Sequence, residues 1–214
     1  MSADPEGILW LVRHGRTDAN GQRYVGWEDP PLNAAGADQA AEIAAILNQR
    51  CPAAIYSSPL RRARDTAAPL ALRLALPIIL EADLREIHYG AHQGRTKAEL
   101  GLKLRKHHLH QRLPGGESLH DVYLRAGRFR RRIAADLAAA RPIAVFGHYW
   151  STRMVLGVLA GAEFDQLFRT GGYKPGNGSI YQIRYRTAGD RLTLVSGAFL
   201  PLPQTTDLSH EVTA

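Results

Sequence analysis

The sequence predicts an α/β fold with a mostly parallel central sheet and helices on both faces, a three-layer α/β/α sandwich. Segments with strand and helix patterns alternate along the chain, as in parallel strands joined by helical crossovers. The 214 residues are 45% hydrophobic, which supports the core of one domain of that class. No internal repeat or low-complexity linker divides the chain, so we expect a single domain over residues 1–200.

Local patterns predict the elements in order. Short apolar runs predict strands at 8–12, 53–57, 78–80, 142–146, 179–185 and 192–198. Apolar residues at helical spacing predict helices at 34–49, 59–74, 117–140 and 150–160. A long loop rich in turn residues, at about 15–33, separates the first strand from the first helix. The segment 201–214 is rich in proline and threonine, and we expect it to be a flexible tail.

Composition favours a cytoplasmic enzyme with an anionic ligand. Cys51 is the single cysteine, so an intramolecular disulfide is excluded. No apolar stretch reaches the roughly 18 residues that span a bilayer, and the acidic N-terminus lacks signal-peptide features, so we expect no membrane association. The net charge of +7 favours an anionic partner. Because the arginines are scattered and no nucleic-acid-binding motif is present, a small phosphorylated substrate is favoured over nucleic acid.

The most informative segment lies where the first predicted strand ends. Arg13 and His14 stand at that end, and Gly15 follows them. In an open α/β sheet, ligands bind outside the carboxyl ends of the strands. There an arginine clamps phosphate oxygens through its planar fork, a histidine can attack phosphorus, and a glycine lets the backbone approach closely. Taken alone, the segment fits equally well a strand-end turn with a charged rim.

Three later segments repeat this layout. After the second strand, serines that can cap a helix precede three arginines, of which we expect one to point into the crevice and two to lie in solvent. Glu86 follows the third strand, where a carboxylic acid near a transferring phosphoryl group can protonate the leaving oxygen. The fourth strand ends in Gly147 and His148, which match the strand, glycine and histidine pattern of His14.

From residue 8 to about 185, the chain resembles the histidine phosphatase superfamily, also called the phosphoglycerate mutase-like family. The segments that carry the resemblance are Leu11–Gly15, Gly26–Asn33 with Gly36 and Gln39, Ser57–Leu60 with Arg62, Ala63, Thr66 and Ala67, Leu84–Glu86 with Gly90, Gly94 and Arg95, Gly116–Ser118, Gly147–His148 and Asn177–Ile180. Each segment alone is a weak signal, whereas all of them in this order are a strong one.

The resemblance implies a role for each matched residue. His14 would be the nucleophile that forms a phosphohistidine. Arg13, Arg62 and His148 would hold the phosphoryl oxygens and stabilise the charge that develops during transfer. Glu86 would protonate the leaving alcohol and then deprotonate the water that hydrolyses the intermediate. These roles suit phosphoryl transfer, which depends on positioning and electrostatic stabilisation, and because arginines supply the positive charge we expect neither metal nor cofactor.

Four further residues are expected to meet the substrate or the nucleophile. Thr17 and Asn20 fall where the family's loop adds hydrogen bonds to phosphate or orients the nucleophile. Tyr149 and Trp150 stand where the family often has a glycine, and they would either narrow the pocket and stack on the leaving group or pack in the core. Gln93 replaces a frequent acidic residue, which affects the surroundings of the site rather than its chemistry.

The interval between Glu86 and His148 carries the lid in this family, here a small insertion at about 92–116. Mutases have a larger insertion that excludes water, so the short interval favours a hydrolase. The lid is basic, with Lys97, Lys103, Arg105, Lys106, His107, His108, His110 and Arg112. A solvated surface is the simplest interpretation, contact with a second anionic group of the substrate is an alternative, and a metal site is disfavoured.

The resulting functional prediction is a metal-independent phosphomonoester hydrolase that acts through phosphohistidine on a small phosphorylated metabolite. A cofactor-dependent phosphoglycerate mutase and a phospho-ligand-binding module are the alternatives, and a nucleic-acid binder ranks last. The substrate stays open among sugar phosphates, phosphoglycerate derivatives, α-ribazole phosphate and phosphoprotein. The oligomeric state also stays open, with a homodimer among the options.

Overall fold

The computed structural model describes residues 5–100, 108–168, 173–188 and 191–201. Within these ranges the strands are β1 (Glu6–Arg13), β2 (Ala54–Ser57), β3 (Ile78–Leu80), β4 (Ile143–Gly147), β5 (Ile180–Ala188) and β6 (Arg191–Phe199). They form one sheet in the order β3-β2-β4-β1-β5-β6. The first four strands of that order are mutually parallel, whereas β5 and β6 pair in antiparallel fashion. The predicted mostly parallel sheet is therefore confirmed.

Helices cover both faces of this sheet. They are α1 (Ala34–Asn48), α2 (Arg61–Leu74), α3 (Lys97–Leu100), α4 (Leu119–Arg132), α5 (Ala134–Ala138) and α6 (Tyr149–Leu159), with 3-10 turns at Ala82–Leu84, Gly90–His92 and Phe164–Phe168. Trp10 and Val12 of β1 pack with α1 and α2 in one core, and Leu9 and Leu11 pack with α4 and α6 in the other. Because successive residues of a strand face opposite sides, β1 contributes to both cores. The predicted three-layer sandwich is confirmed.

The helix predicted over 117–140 is two helices in the structure. Helix α4 begins after Ser118, which forms a capping box with Asp121, so Glu117 lies outside it. The break between α4 and α5 falls at Ile133, whose side chain is buried in the core. No proline or glycine marks this position, so the sequence pattern did not reveal the break.

The predicted lid at 92–116 is described in part. Lys103, Arg105, Lys106 and His107 lie outside the described residues, as does the tail beyond 201. His110 Nε2 lies 2.9 Å from Asp165 Oδ1, and the Arg112 guanidinium lies 2.8 Å from Asp121 Oδ1. Two of the basic lid residues therefore pair with surface carboxylates of the protein itself.

In the described part of the chain, no three histidine, cysteine, aspartate or glutamate side chains converge as they would around a metal ion. No helix in the same ranges has the length and apolar character needed to span a bilayer.

The strand order brings three carboxyl ends together. β4 lies between β1 and β2, and the register pairs Arg13 with Gly147 and Ser57 with Phe146. The residues that follow these strands therefore meet at one edge of the sheet, at the point where the strand order reverses. Such an edge is the usual ligand site of an open α/β sheet.

The loop after β1 approaches the first turn of α1 through two glycines. A Cβ on Gly15 would lie 2.5 Å from the Gly36 carbonyl oxygen, and one on Gly36 would lie 2.1 Å from the Arg16 carbonyl oxygen. Since both contacts involve backbone, neither can be relieved by a side-chain movement. This close packing fixes the chain directly after the β1 carboxyl end.

We expect Gly36→Ala to lower the free energy of unfolding by about 1–3 kcal/mol, because the added methyl group overpacks two backbone segments. Urea unfolding followed by circular dichroism measures the change. Gly127→Ala in α4 is the matched control, since its added Cβ would meet only the end of the Arg131 side chain at 3.9 Å. Equal stability of Gly36→Ala and wild type would contradict the packing argument.

Candidate active site

His14 is held by backbone contacts on both sides of β1. Its N–H donates to the Gly147 carbonyl (3.0 Å), and its carbonyl accepts from the N–H of Gly178 (3.0 Å) and from Nδ2 of Asn177 (3.1 Å). Its ring Nδ1 lies 2.7 Å from the Gly15 carbonyl oxygen. A carbonyl only accepts, so Nδ1 carries the proton and Nε2 keeps its lone pair.

The same ring is kept neutral by its surroundings. Burial lowers the pKa of His14 well below its ordinary value, and the guanidinium groups of Arg62 and Arg13 lower it further. An imidazole with a free Nε2 lone pair at neutral pH is a competent nucleophile.

Two guanidinium groups lie beside this ring. Arg62 is 2% exposed, and its Nη1 and Nη2 donate to the carbonyls of Glu28 (2.7 Å) and Gly26 (2.8 Å). Arg13 Nη1 donates to the Pro175 carbonyl (2.9 Å), while its buried Nε has no partner among the described residues. Burial lowers the pKa of both arginines, which nevertheless stay charged because arginine starts so high.

Of the three arginines in the first turn of α2, only one reaches the site. Arg61 and Arg64 are exposed and approach Asp65, whereas Arg62 is buried. The prediction that one of the three arginines points inward and two face solvent is therefore confirmed.

His148 follows β4, and its ring centroid lies 5.0 Å from that of His14. Its Nε2 is 2.8 Å from Oγ of Ser58, which is fully buried and itself accepts from the Leu60 N–H (3.3 Å). When the Ser58 hydroxyl donates to Nε2, the proton of the neutral His148 ring lies on Nδ1. This Nδ1 is buried without a partner in the described ranges. Two unpartnered buried nitrogens, here and on Arg13, suit an anion that would accept from both.

Glu86 places a buried carboxyl group at the same edge. It is 8% exposed, and Oε1 accepts from the N–H groups of Ile87 (3.0 Å) and Trp150 (3.1 Å). Burial raises its pKa, while these hydrogen bonds and the charges of Arg13 and Arg62 act in the opposite direction. A carboxyl group with a raised pKa keeps its proton to higher pH and can act as a general acid.

These groups open onto a cavity of about 230 Å³ lined by Arg13, His14, Arg62 and Glu86 among others. His148 is fully buried beside His14 and is not among the residues that line this cavity. A larger cavity, about 710 Å³, lies against α4, α5 and β6. Its lining has arginines but neither histidine nor carboxylate, so the smaller cavity is the one equipped for chemistry.

The sequence matches the family model described as the histidine phosphatase superfamily (branch 1) over residues 9–196. The chain belongs to this superfamily. A bifunctional protein of Mycobacterium tuberculosis is 39% identical over 171 residues, which cover 75% of this chain and 46% of that protein. This chain thus spans about half the length of that relative.

Two further comparisons cover most of the chain. A glucosyl-3-phosphoglycerate phosphatase of Mycolicibacterium vanbaalenii is 34% identical over 195 residues, which cover 85% of this chain and 86% of that enzyme. The native structure of a mycobacterial glucosyl-3-phosphoglycerate phosphatase superposes with a TM-score of 0.79 at 29% identity, covering 89% of this chain and 98% of that chain. The family and fold inferred from the motifs are confirmed.

The predicted substrate-binding residues of this histidine phosphatase domain fall into two groups. Asn20, Tyr149 and Trp150 line the cavity. Thr17 is buried behind it, and its N–H (2.7 Å) and Oγ1 (3.1 Å) both donate to Asn20 Oδ1, which leaves Asn20 Nδ2 for the cavity. Gly15 packs against α1 instead of lining the cavity. Substrate contact stays a prediction for the first group, whereas Thr17 and Gly15 take supporting positions.

Aromatic rings form much of the cavity rim. Tyr149 and Trp150 are half-buried and meet edge to face at 5.0 Å, and the Tyr149 centroid lies 5.4 Å from the guanidinium carbons of Arg13 and Arg153. Both residues lie at the pocket edge, and Trp150 also packs against the core that contains Leu9 and Leu11, so both alternatives apply to Trp150.

Sequence reasoning missed other rim residues. Arg23, Tyr24 and Tyr89 line the cavity, and the two tyrosine rings lie 5.1 Å apart. Tyr89 directly precedes Gly90, and Tyr24 lies two residues before Gly26, so proximity to these family glycines was the one signal in the sequence. Gln93 Oε1 accepts the Trp27 N–H (2.8 Å), so the amide oxygen supplies the acceptor that a carboxylate would.

We expect Glu86→Gln to stabilise the protein more at pH 7.5 than at pH 4. Because burial raises the pKa of Glu86 above its unfolded value, wild type loses stability as pH rises through the folded pKa, and glutamine abolishes that loss. Urea unfolding at the two pH values measures it. Glu99→Gln is the control with the opposite sign, since hydrogen bonds from Thr96 lower the pKa of that exposed carboxylate. A pH-independent effect of Glu86→Gln would contradict the buried-acid assignment.

Proposed function

We propose that this protein is a phosphomonoester hydrolase that acts through a phosphohistidine intermediate on a small phosphorylated metabolite, without a metal ion. One observation carries the proposal: the neutral imidazole of His14, with Nδ1 bound to the Gly15 carbonyl, shares a small cavity with two guanidinium groups and a buried carboxylic acid. The relatives named as phosphatases support the hydrolase over other members of the superfamily.

In the first step, Nε2 of His14 attacks phosphorus, and the bond from phosphorus to the leaving oxygen breaks. Glu86 gives its proton to that oxygen, so the product leaves as a neutral alcohol. Arg13, Arg62 and the Nδ1–H of His148 stabilise charge on the transferring phosphoryl oxygens. The phosphorylated ring is cationic, and its Nδ1–H remains bound to the Gly15 carbonyl.

In the second step, the Glu86 carboxylate takes a proton from water as the water oxygen attacks phosphorus. The bond from phosphorus to Nε2 breaks, inorganic phosphate forms, and His14 returns to the neutral state. Glu86 is again protonated, so the cycle closes. The two arginines supply the positive charge in both steps, and for this reason we propose no metal ion.

The cavity rim favours a sugar-containing or glycerate-type leaving group. Tyr24, Tyr89, Tyr149 and Trp150 offer ring faces and edges on which a sugar ring can pack. Arg23 adds a half-exposed positive charge at the same rim, 3.9 Å from Glu28. The similarity to glucosyl-3-phosphoglycerate phosphatases agrees with this substrate class.

We expect His14→Ala to lower phosphate release by about a thousandfold or more, because the nucleophile is lost while its neighbours remain. The measurement is a phosphate-release screen with EDTA at neutral pH over sugar phosphates, phosphoglycerates and p-nitrophenyl phosphate. Substantial turnover by His14→Ala would overturn the nucleophile assignment. No release from any compound by wild type would favour a mutase or a binding module, and 2,3-bisphosphoglycerate with 3-phosphoglycerate would then separate those two.

We also expect Glu86→Gln to slow hydrolysis of an alkyl phosphate by about 10²–10⁴-fold while affecting p-nitrophenyl phosphate far less. The nitrophenolate leaves without a proton, whereas an alkoxide needs one. The values of kcat/KM for glycerol phosphate and p-nitrophenyl phosphate measure the difference. An equal loss on both substrates would rule out Glu86 as the general acid.

A further inference from the structure

Arg125 of α4 is a buried guanidinium group that the proposed mechanism does not use. Its side chain is 4% exposed. Nη1 donates to the carbonyls of Asp83 (2.7 Å) and Arg85 (2.6 Å), and Nη2 donates to the carbonyl of Glu86 (2.9 Å). Three backbone carbonyls of the segment that carries Glu86 thus converge on one side chain from a different layer of the fold.

Glu117 completes the contact on the other side of Glu86. Its carboxylate accepts from Nε (3.0 Å) and Nη2 (3.1 Å) of Arg125. The same carboxylate accepts the His88 N–H (2.8 Å), and the Glu117 N–H donates to the His88 carbonyl (2.9 Å). The Arg125–Glu117 pair therefore holds the chain both before and after Glu86.

The hydrogen bonds of Glu86 itself show why this matters. Within the described residues, its carboxyl group accepts from two backbone N–H groups, those of Ile87 and Trp150, and forms no side-chain hydrogen bond. Its carbonyl accepts from Arg125 and from Trp27 Nε1 (2.7 Å). The direction of the acid is thus set by the position of its backbone, which Arg125 fixes.

A buried ion pair is weak evidence for a gain in stability, because desolvation of the two charges offsets their attraction. An apolar side chain in α4 would fill the same space but would leave the carbonyls of Asp83 and Arg85 without this donor, and the Glu86 carbonyl with Trp27 alone. We propose that Arg125, together with Glu117, is a positioning residue that aligns Glu86 for proton transfer to the leaving group. The inference rests on the proposed function, since it requires Glu86 to be the acid.

The chain offers a matched control on the same helix. Arg128 lies one turn after Arg125, is half exposed, and contacts the Asp83 side chain at 2.7 Å. It supports the same turn of chain through the Asp83 carboxylate and forms no hydrogen bond with the Glu86 backbone. Loss of Arg128 should therefore alter stability without altering proton transfer.

The test compares kcat and KM for glycerol phosphate and p-nitrophenyl phosphate in wild type, Arg125→Met, Arg125→Lys, Glu117→Gln and Arg128→Met. We expect Arg125→Met to lower kcat/KM for glycerol phosphate about tenfold more than for p-nitrophenyl phosphate, mainly through kcat. Arg125→Lys should recover only part of this selectivity, because one ammonium group does not replace the planar fork. Arg128→Met should leave the ratio of the two substrates at its wild-type value.

Glu86→Gln is measured in parallel so that two failures can be told apart. One outcome is that Glu86→Gln slows glycerol phosphate hydrolysis more than p-nitrophenyl phosphate hydrolysis while the Arg125 and Glu117 variants slow both equally. In that case Arg125 only supports the fold, and the inference is overturned. If Glu86→Gln is not selective, the acid assignment of the proposed function fails and the inference falls with it. Should Arg125→Met not fold, Glu117→Gln decides, because glutamine keeps the size of the side chain and removes its charge.

Discussion

The parallel pairing of β4 with β1 on one side and β2 on the other is the constraint on which the site depends. It sets His14 and His148 at one level and Ser58 one position earlier, each directly after the last residue of its strand. The N–H groups of His14 and Ser58 continue the ladder by donating to Gly147 and Phe146. A slip of one register position would turn these side chains to the other face of the sheet, so the register that builds the core also assembles the site.

Burial shifts the pKa values of the two proton-exchanging groups of the site in opposite directions. It lowers the pKa of His14 and raises the pKa of Glu86, so burial favours the neutral form of both groups beside the cavity. The two arginines stay charged despite burial because the pKa of arginine is so high, and backbone carbonyls accept hydrogen bonds from both. This combination fits the proposed roles of nucleophile, proton donor and anion clamp, the first two through the effect of burial on pKa and the third through the charge of arginine.

Sequence patterns predicted the strands and the polar residues that follow them, because both can be read from neighbouring positions. An apolar run predicts a strand, and the polar residue after it lies at the carboxyl end of that strand. They did not show that Thr17 donates hydrogen bonds to Asn20, or that the rings of Tyr24 and Tyr89 meet at the cavity rim, because those contacts depend on how the loops fold. Arg125 was hidden for a related reason. It is one of several arginines in α4, and only contacts with a segment about forty positions earlier in the chain distinguish it from the others.

The proton on His14 is directed by a peptide carbonyl, that of Gly15, rather than by an acidic side chain. Every amino acid supplies a carbonyl at that position, so no change of side chain there can delete the acceptor. A side chain at position 15 would, however, meet the Gly36 backbone, so the position of this carbonyl depends on the two packed glycines. Substitutions in the aromatic rim would therefore alter the walls of the cavity while leaving the partner of the His14 proton in place.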